Sequence, residues 1–128
     1  MEATVTETII PLRMSSSELR QLALEYNWDD GFEVPQHIAD HQSCDLAVAL
    51  ELFWLSEAAS VYLGEASEHP YNTAWRTFSR NLADRILSGH YTYGSASFMP
   101  PLTKVQIYKY RKKGLPEVFL SSVSGVQA

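Results

Sequence analysis

Between Leu46 and Leu63 the chain carries only two charged side chains, Glu51 and Glu57. Wound as an α-helix, this stretch places Ser56, Glu57 and Ser60 in one narrow sector, with Val48, Leu50, Trp54, Leu55, Ala58 and Tyr62 filling most of the remainder. A helix that is apolar nearly all round has to be enclosed by its neighbours. The segment, capped by Ser43 or Asp45 and stopped at Gly64, is therefore expected to be the central helix of a helical domain. Its two carboxylates interrupt the roughly 18 consecutive apolar residues that a membrane span requires, so no span is expected.

Three further helices are legible around it. Ser15 and Glu18 have capping-box spacing, and Leu19, Leu22, Ala23 and Tyr26 follow at i, i+3, i+4 and i+7. Pro35 suits the first turn of a short helix through His41. A fourth helix, from Asn72 to Gly89, has Trp75, Phe78, Leu82, Ile86 and Leu87 on its core face. Residues 90–103, with Pro100-Pro101, read as irregular. The alternation Lys104-Val105-Gln106-Ile107-Tyr108 predicts a strand, with Val118-Phe119-Leu120 returning beside it after a turn at Arg111-Lys112-Lys113-Gly114. Residues Thr4–Ile10 are expected to form a short strand or an ordered arm, and the tail after Ser121 to fray. A chain of 128 residues supports one core. The expected fold is mainly α: a compact bundle of about four helices with a short C-terminal β-hairpin, in one domain over 1–128. Its helical core spans about 15–89, and its irregular or hairpin segment spans 90–121.

Charge is distributed unevenly along the sequence. Residues 1–70 carry 13 Asp and Glu against Arg13 and Arg20, or −11; residues 71–128 carry Asp84 and Glu117 against eight Lys and Arg, or +6, which returns the overall −5. So small and confined a set of cations argues against direct binding to DNA. The segment with Lys104, Lys109, Arg111, Lys112 and Lys113 interleaves Tyr108 and Tyr110 as single-strand binders do, but it is short and serves equally well as a cover over the acidic half. The single Cys44 cannot form an internal disulfide, and Met1-Glu2-Ala3-Thr4 has neither the basic nor the apolar region of a secretion signal, so a cytoplasmic protein is expected.

The run Leu22-Ala23-Leu24-Glu25-Tyr26-Asn27-Trp28-Asp29-Asp30-Gly31-Phe32-Glu33-Val34-Pro35, followed by Cys44-Asp45-Leu46-Ala47-Val48-Ala49-Leu50-Glu51-Leu52-Phe53-Trp54, resembles an uncharacterised bacterial family. Its members are small domains of unknown function in which a Tyr-Asn-Trp-Asp-Asp-Gly turn precedes a helix opening with Cys-Asp-Leu. The resemblance covers about residues 18–90. It implies a mostly helical domain and supplies no catalytic residues to carry over.

Three groupings are candidates for chemistry. Trp28, Asp29, Asp30 and Glu33 combine an aromatic anchor with carboxylates that suit a basic partner; alternatively, Trp28 plugs the core and the aspartates cap a turn. His37 and His41 share a helix face at i, i+4 with Cys44 and Asp45 close behind, a set suited to zinc, although Cys44 serves as well as a small buried hydrophobe. Glu51 lies in the apolar sector of the central helix and needs an ion pair, for which Arg80 or Arg76 is the expected partner, or else a cleft in which it acts as acid or base. No Gly-x-Ser-x-Gly elbow and no Gly-rich phosphate loop occurs, so neither a common type of enzyme nor a cofactor is expected. The resulting expectation is a small acidic protein that binds a protein partner, an immunity or antitoxin-like protein against a basic bacterial toxin. The alternatives are a metal-dependent enzyme built on His37, His41 and nearby carboxylates, or a self-associating helical scaffold.

Overall fold

Ser15 starts the first helix as its spacing predicts: its hydroxyl accepts from the Glu18 amide and the Glu18 carboxylate accepts from the Ser15 amide. In the computed structural model, which describes residues 10–125, this helix is α1 (Ser16–Glu25). It is followed by α2 (Glu33–Asp40), α3 (Leu46–Leu55), α4 (Ala58–Tyr62), α5 (Thr73–Leu87) and α6 (Lys104–Lys112). Short 3-10 turns occupy Trp28–Asp30, Pro70–Asn72 and Glu117–Leu120. The expectation for Thr4–Ile10 falls, except for Ile10, outside the described residues. Ile10 itself is buried.

Every residue of α3 from Leu46 to Phe53 is buried, and α1, α2, α4 and α5 all pack against this helix. The predicted long central helix is nevertheless broken in two. Glu57 adopts φ 59°, ψ 38°, the only left-handed non-glycine residue among those described. The break is held from outside the helix: the Trp75 indole N–H donates to the Ser56 carbonyl at 2.7 Å, while the Ser56 hydroxyl donates to the Phe53 carbonyl. A helix bent here lets α4 lie along α5. Among the described residues the bundle thus has six helices where about four were expected.

The C-terminal segment corrects the sequence reading more sharply. No hairpin forms. Residues 104–112 are α6, because Thr103 and Gln106 make a second capping box in which the hydroxyl accepts from the Gln106 amide and the Gln106 side chain accepts from the Thr103 amide. The alternation of Val105 and Ile107 hides a helical pair, Ile107 and Tyr110, which packs against the core while Val105 and Tyr108 face solvent. Gly114 at φ 93° ends the helix. The turn at Glu117–Leu120 then delivers Phe119 onto Phe53, with ring centroids 4.3 Å apart. The tail does not fray at Ser121: Val123 is buried and bridges antiparallel to Phe98 through two backbone hydrogen bonds of 2.9 and 2.8 Å. One cluster of buried apolar side chains runs from Ile10 to Val123.

The connection between α5 and α6 wraps the start of α3. The Leu46 amide donates to the Thr92 carbonyl, the Ala96 amide to the Asp45 carboxylate, and Ser95 pairs with the Ser16 hydroxyl. In the same region burial pushes the Cys44 thiol well above its ordinary 9.0, with Asp45 adding to the rise. Tyr91, donating to the Ala39 carbonyl, is pushed up from 10.0 to about 12 by burial, against the opposing hydrogen bond from Arg85. Both groups hold their protons more tightly folded than unfolded, so stability is intact below the unfolded values and is lost as pH rises through them. From neutral pH the melting temperature is expected to be flat up to about pH 9 and to fall above it, with Tyr91 contributing between 10 and about 12. In Cys44→Ala the onset should move upward by about one pH unit, toward the range where Tyr91 titrates. Identical alkaline profiles for the wild type, Cys44→Ala and Tyr91→Phe would contradict this account.

Candidate partner-binding site

The acidic turn is built from its own side chains. Asn27 Oδ1 accepts from the Asp29 amide at 3.1 Å and starts the 3-10 turn, Gly31 leaves it at φ 99°, and the Tyr26 hydroxyl donates to the Gly31 carbonyl at 2.8 Å. Trp28 is half-buried and meets Tyr26, Phe32 and Phe78 edge to face, with centroid distances of 5.6, 6.0 and 6.4 Å. Its indole nitrogen is buried without an acceptor among the described residues. Asp29, Asp30 and Glu33 are exposed, and none is in an ion pair among the described residues. The ring of Trp28 thus packs inward, while the Asp29 and Asp30 carboxylates face water and cap no amide among the described residues, Asn27 capping the turn in their place. Their negative potential reaches Tyr26, whose hydroxyl is raised first by burial and then by Asp30 and Glu33.

Trp28 also walls a cavity of about 270 Å³, completed by Phe32, Leu55, Ser56, Glu57 and Trp75. A neighbouring cavity of about 230 Å³ is lined by Trp54, Glu57, Ala59, Ser60 and Tyr110. Glu57 lines both. Sequence reasoning did not single out Glu57, Phe32 or Trp75 for this site, and no local signal marked Glu57, since a left-handed glutamate arises from the packing of α4 on α5.

The other groupings are rearranged. Glu51 does pair, but with Arg20 at 3.0 Å and not with Arg80, because α1 lies against α3 while Arg80 sits exposed on α5. The zinc set does not converge: among the described residues no three His, Cys, Asp or Glu side chains come together as ligands. His41 accepts from the Ser43 amide through Nδ1 and meets the Pro11 carbonyl through Nε2 at 2.8 Å, so both ring nitrogens are engaged. Cys44 is buried. Asp45 caps α3, one carboxylate oxygen accepting from the Val48 amide and the other from the Ala96 amide. His37 remains half-buried on α2. Part of the charge asymmetry cancels within the fold, through Arg85 with Asp40 at 2.7 Å, Lys113 with Glu65 at 2.9 Å and Arg76 with Glu68 at 3.8 Å. The turn carboxylates are left out of this cancellation.

A family model described as a domain of unknown function matches residues 14–87, more than half of the chain. No curated protein and no solved structure matches it.

Proposed function

This chain belongs to the family Domain of unknown function (DUF4274), and from that premise we propose that it is a protein-binding protein that uses its acidic turn to neutralise a basic partner, in the manner of an immunity protein or antitoxin. The observation that carries the reading is the set of exposed, unpaired carboxylates Asp29, Asp30 and Glu33 around the anchored Trp28. Asp40, Glu65 and Glu68 are drawn into pairs with Arg or Lys, whereas the three carboxylates of this turn are clustered and in no ion pair among the described residues. Exposed carboxylates of one sign accelerate encounter with a cationic surface, and a rigid aromatic beside them supplies a contact that water does not compete for.

Pull-down from the native host should recover one stoichiometric basic protein whose association slows with added salt. The triple change Asp29→Asn, Asp30→Asn, Glu33→Gln removes the charge and none of the structural hydrogen bonds described above. It should slow association by about tenfold or more at low ionic strength while changing dissociation much less. Stopped-flow binding measures both rates. Recovery of no partner, or a partner that associates equally fast with the triple variant, overturns the reading.

A further inference from the structure

We infer that the cavity walled by Trp28, Phe32 and Trp75 is a receptor for an organic cation, an alkylammonium or guanidinium group, with Glu57 as its counter-charge. The lining contains three aromatic rings, one aliphatic side chain, Ser56 and a single ionisable group. The Ser56 hydroxyl is bonded to the Phe53 carbonyl and its own carbonyl to the Trp75 indole, so neither is the polar group that a ligand would find first. The Trp28 indole nitrogen is shielded from solvent. The Glu57 carboxylate is what remains: exposed, and in no ion pair among the described residues. Aromatic faces and a carboxylate together favour positive charge, and an alkylated cation also gains from the apolar wall.

The backbone at this position supports the assignment. Residue 57 is left-handed, a conformation that glycine adopts freely and that any side chain resists, yet it carries a glutamate that stands between two aromatic-lined cavities. The chain also shows the contact chemistry on itself: the Lys113 ammonium lies 5.7 Å from the ring centroid of Tyr110, in the wall of the second cavity. The cation could arrive as a partner's Lys or Arg side chain, in which case the inference deepens the protein-binding reading, or as a free amine.

The test follows the indole N–H resonances of Trp28, Trp75 and Trp54 by ¹H–¹⁵N spectroscopy during titration with n-butylammonium and ethylguanidinium, with n-butanol as the neutral control. Saturable shifts are expected at Trp28 and Trp75, with butanol at least about fivefold weaker. Glu57→Gln should weaken cation binding by about fivefold or more, and Glu57→Gly should lose it equally while melting higher than wild type, which separates loss of the site from loss of the fold. No saturation below about 100 mM, equal response to butanol, or unchanged binding in Glu57→Gln overturns the inference. If the amines bind and no protein partner is recovered, the protein-binding reading fails and the cavity stands as a site for free amines. If a partner is recovered, a fivefold or greater loss of its affinity in Glu57→Gln identifies its basic side chain as the occupant. A partner held equally well by that variant, with no amine binding, overturns the cavity alone.

Discussion

Phe119→Ala is expected to lower the free energy of unfolding by about 3–5 kcal/mol, the range for deleting a large aromatic from a packed core. Phe119 is fully buried, stacks on Phe53 at 4.3 Å with 17° between ring planes, and tilts against Tyr62 at 5.6 Å. Truncation leaves a void whose far wall is α3, the helix on which α1, α2, α4 and α5 all depend, so little collapse can fill it. The backbone there is tied as well, since the Phe119 carbonyl accepts from the Trp54 indole at 2.9 Å. Urea denaturation should show a lower midpoint with an unchanged slope. A loss below about 1 kcal/mol would mean that the segment after α6 is not packed on α3 as described.

Asp45→Ala should cost about 2–4 kcal/mol, combining a lost helix cap of about 1 kcal/mol with the penalty for buried amides left without acceptors. One carboxylate oxygen accepts from the Val48 amide at 2.9 Å and the other from the Ala96 amide at 3.2 Å, and the residue is 3% exposed. No slack is available for repair. A side chain at residue 94 would overlap Asp45 Oδ2 and sit 3.0 Å from its Cβ, so the strap carrying Gly94 and Ala96 is pressed against the carboxylate. Asp45→Asn should recover part of the loss, because its amide oxygen can still cap one N–H while its NH₂ faces the other as a donor. Hydrogen exchange at Ala96 provides a local check. It should accelerate strongly in Asp45→Ala, and unchanged exchange there would refute the bridging role.

The local signals were reliable where the chemistry is local. Ser15 and Glu18 cap α1 as their spacing requires, Pro35 lies in the first turn of α2, and the core face of α5 buries Phe78, Leu82 and Ile86, although Trp75 is only half-buried and Leu87 at the end of that face is exposed. The second capping box, Thr103 with Gln106, was equally local and equally visible. It was outweighed by an alternation too short to distinguish a strand from a helix pair. For the acidic turn, sequence identified Trp28, Asp29 and Asp30 and left open whether the ring served the core or a partner. Neighbouring residues in a 3-10 turn point in different directions, so ring and carboxylates could take separate surroundings.

Pairings between distant segments followed no such rule. Glu51 needed a cation because a lone buried carboxylate is costly, and this need was legible from the helical periodicity of α3. That Arg20 and not Arg80 supplies it depends on which helix lies against which, a global property. His41 and Cys44 had the residue types and spacing for a metal, yet the Ser43 amide and the Pro11 carbonyl engage the imidazole and burial holds the thiol protonated.

A helical protein with one nearly all-apolar helix at its centre followed from residues 46–63 alone, because apolar periodicity and capping act within a few residues of chain. The break at Glu57, the two cavities that this residue lines, and the seating of Phe119 on Phe53 were decided only when α4, α5 and the C-terminal segment closed around that helix. Each is a contact between groups far apart in sequence, made possible by packing and by no preference of the residues that make it.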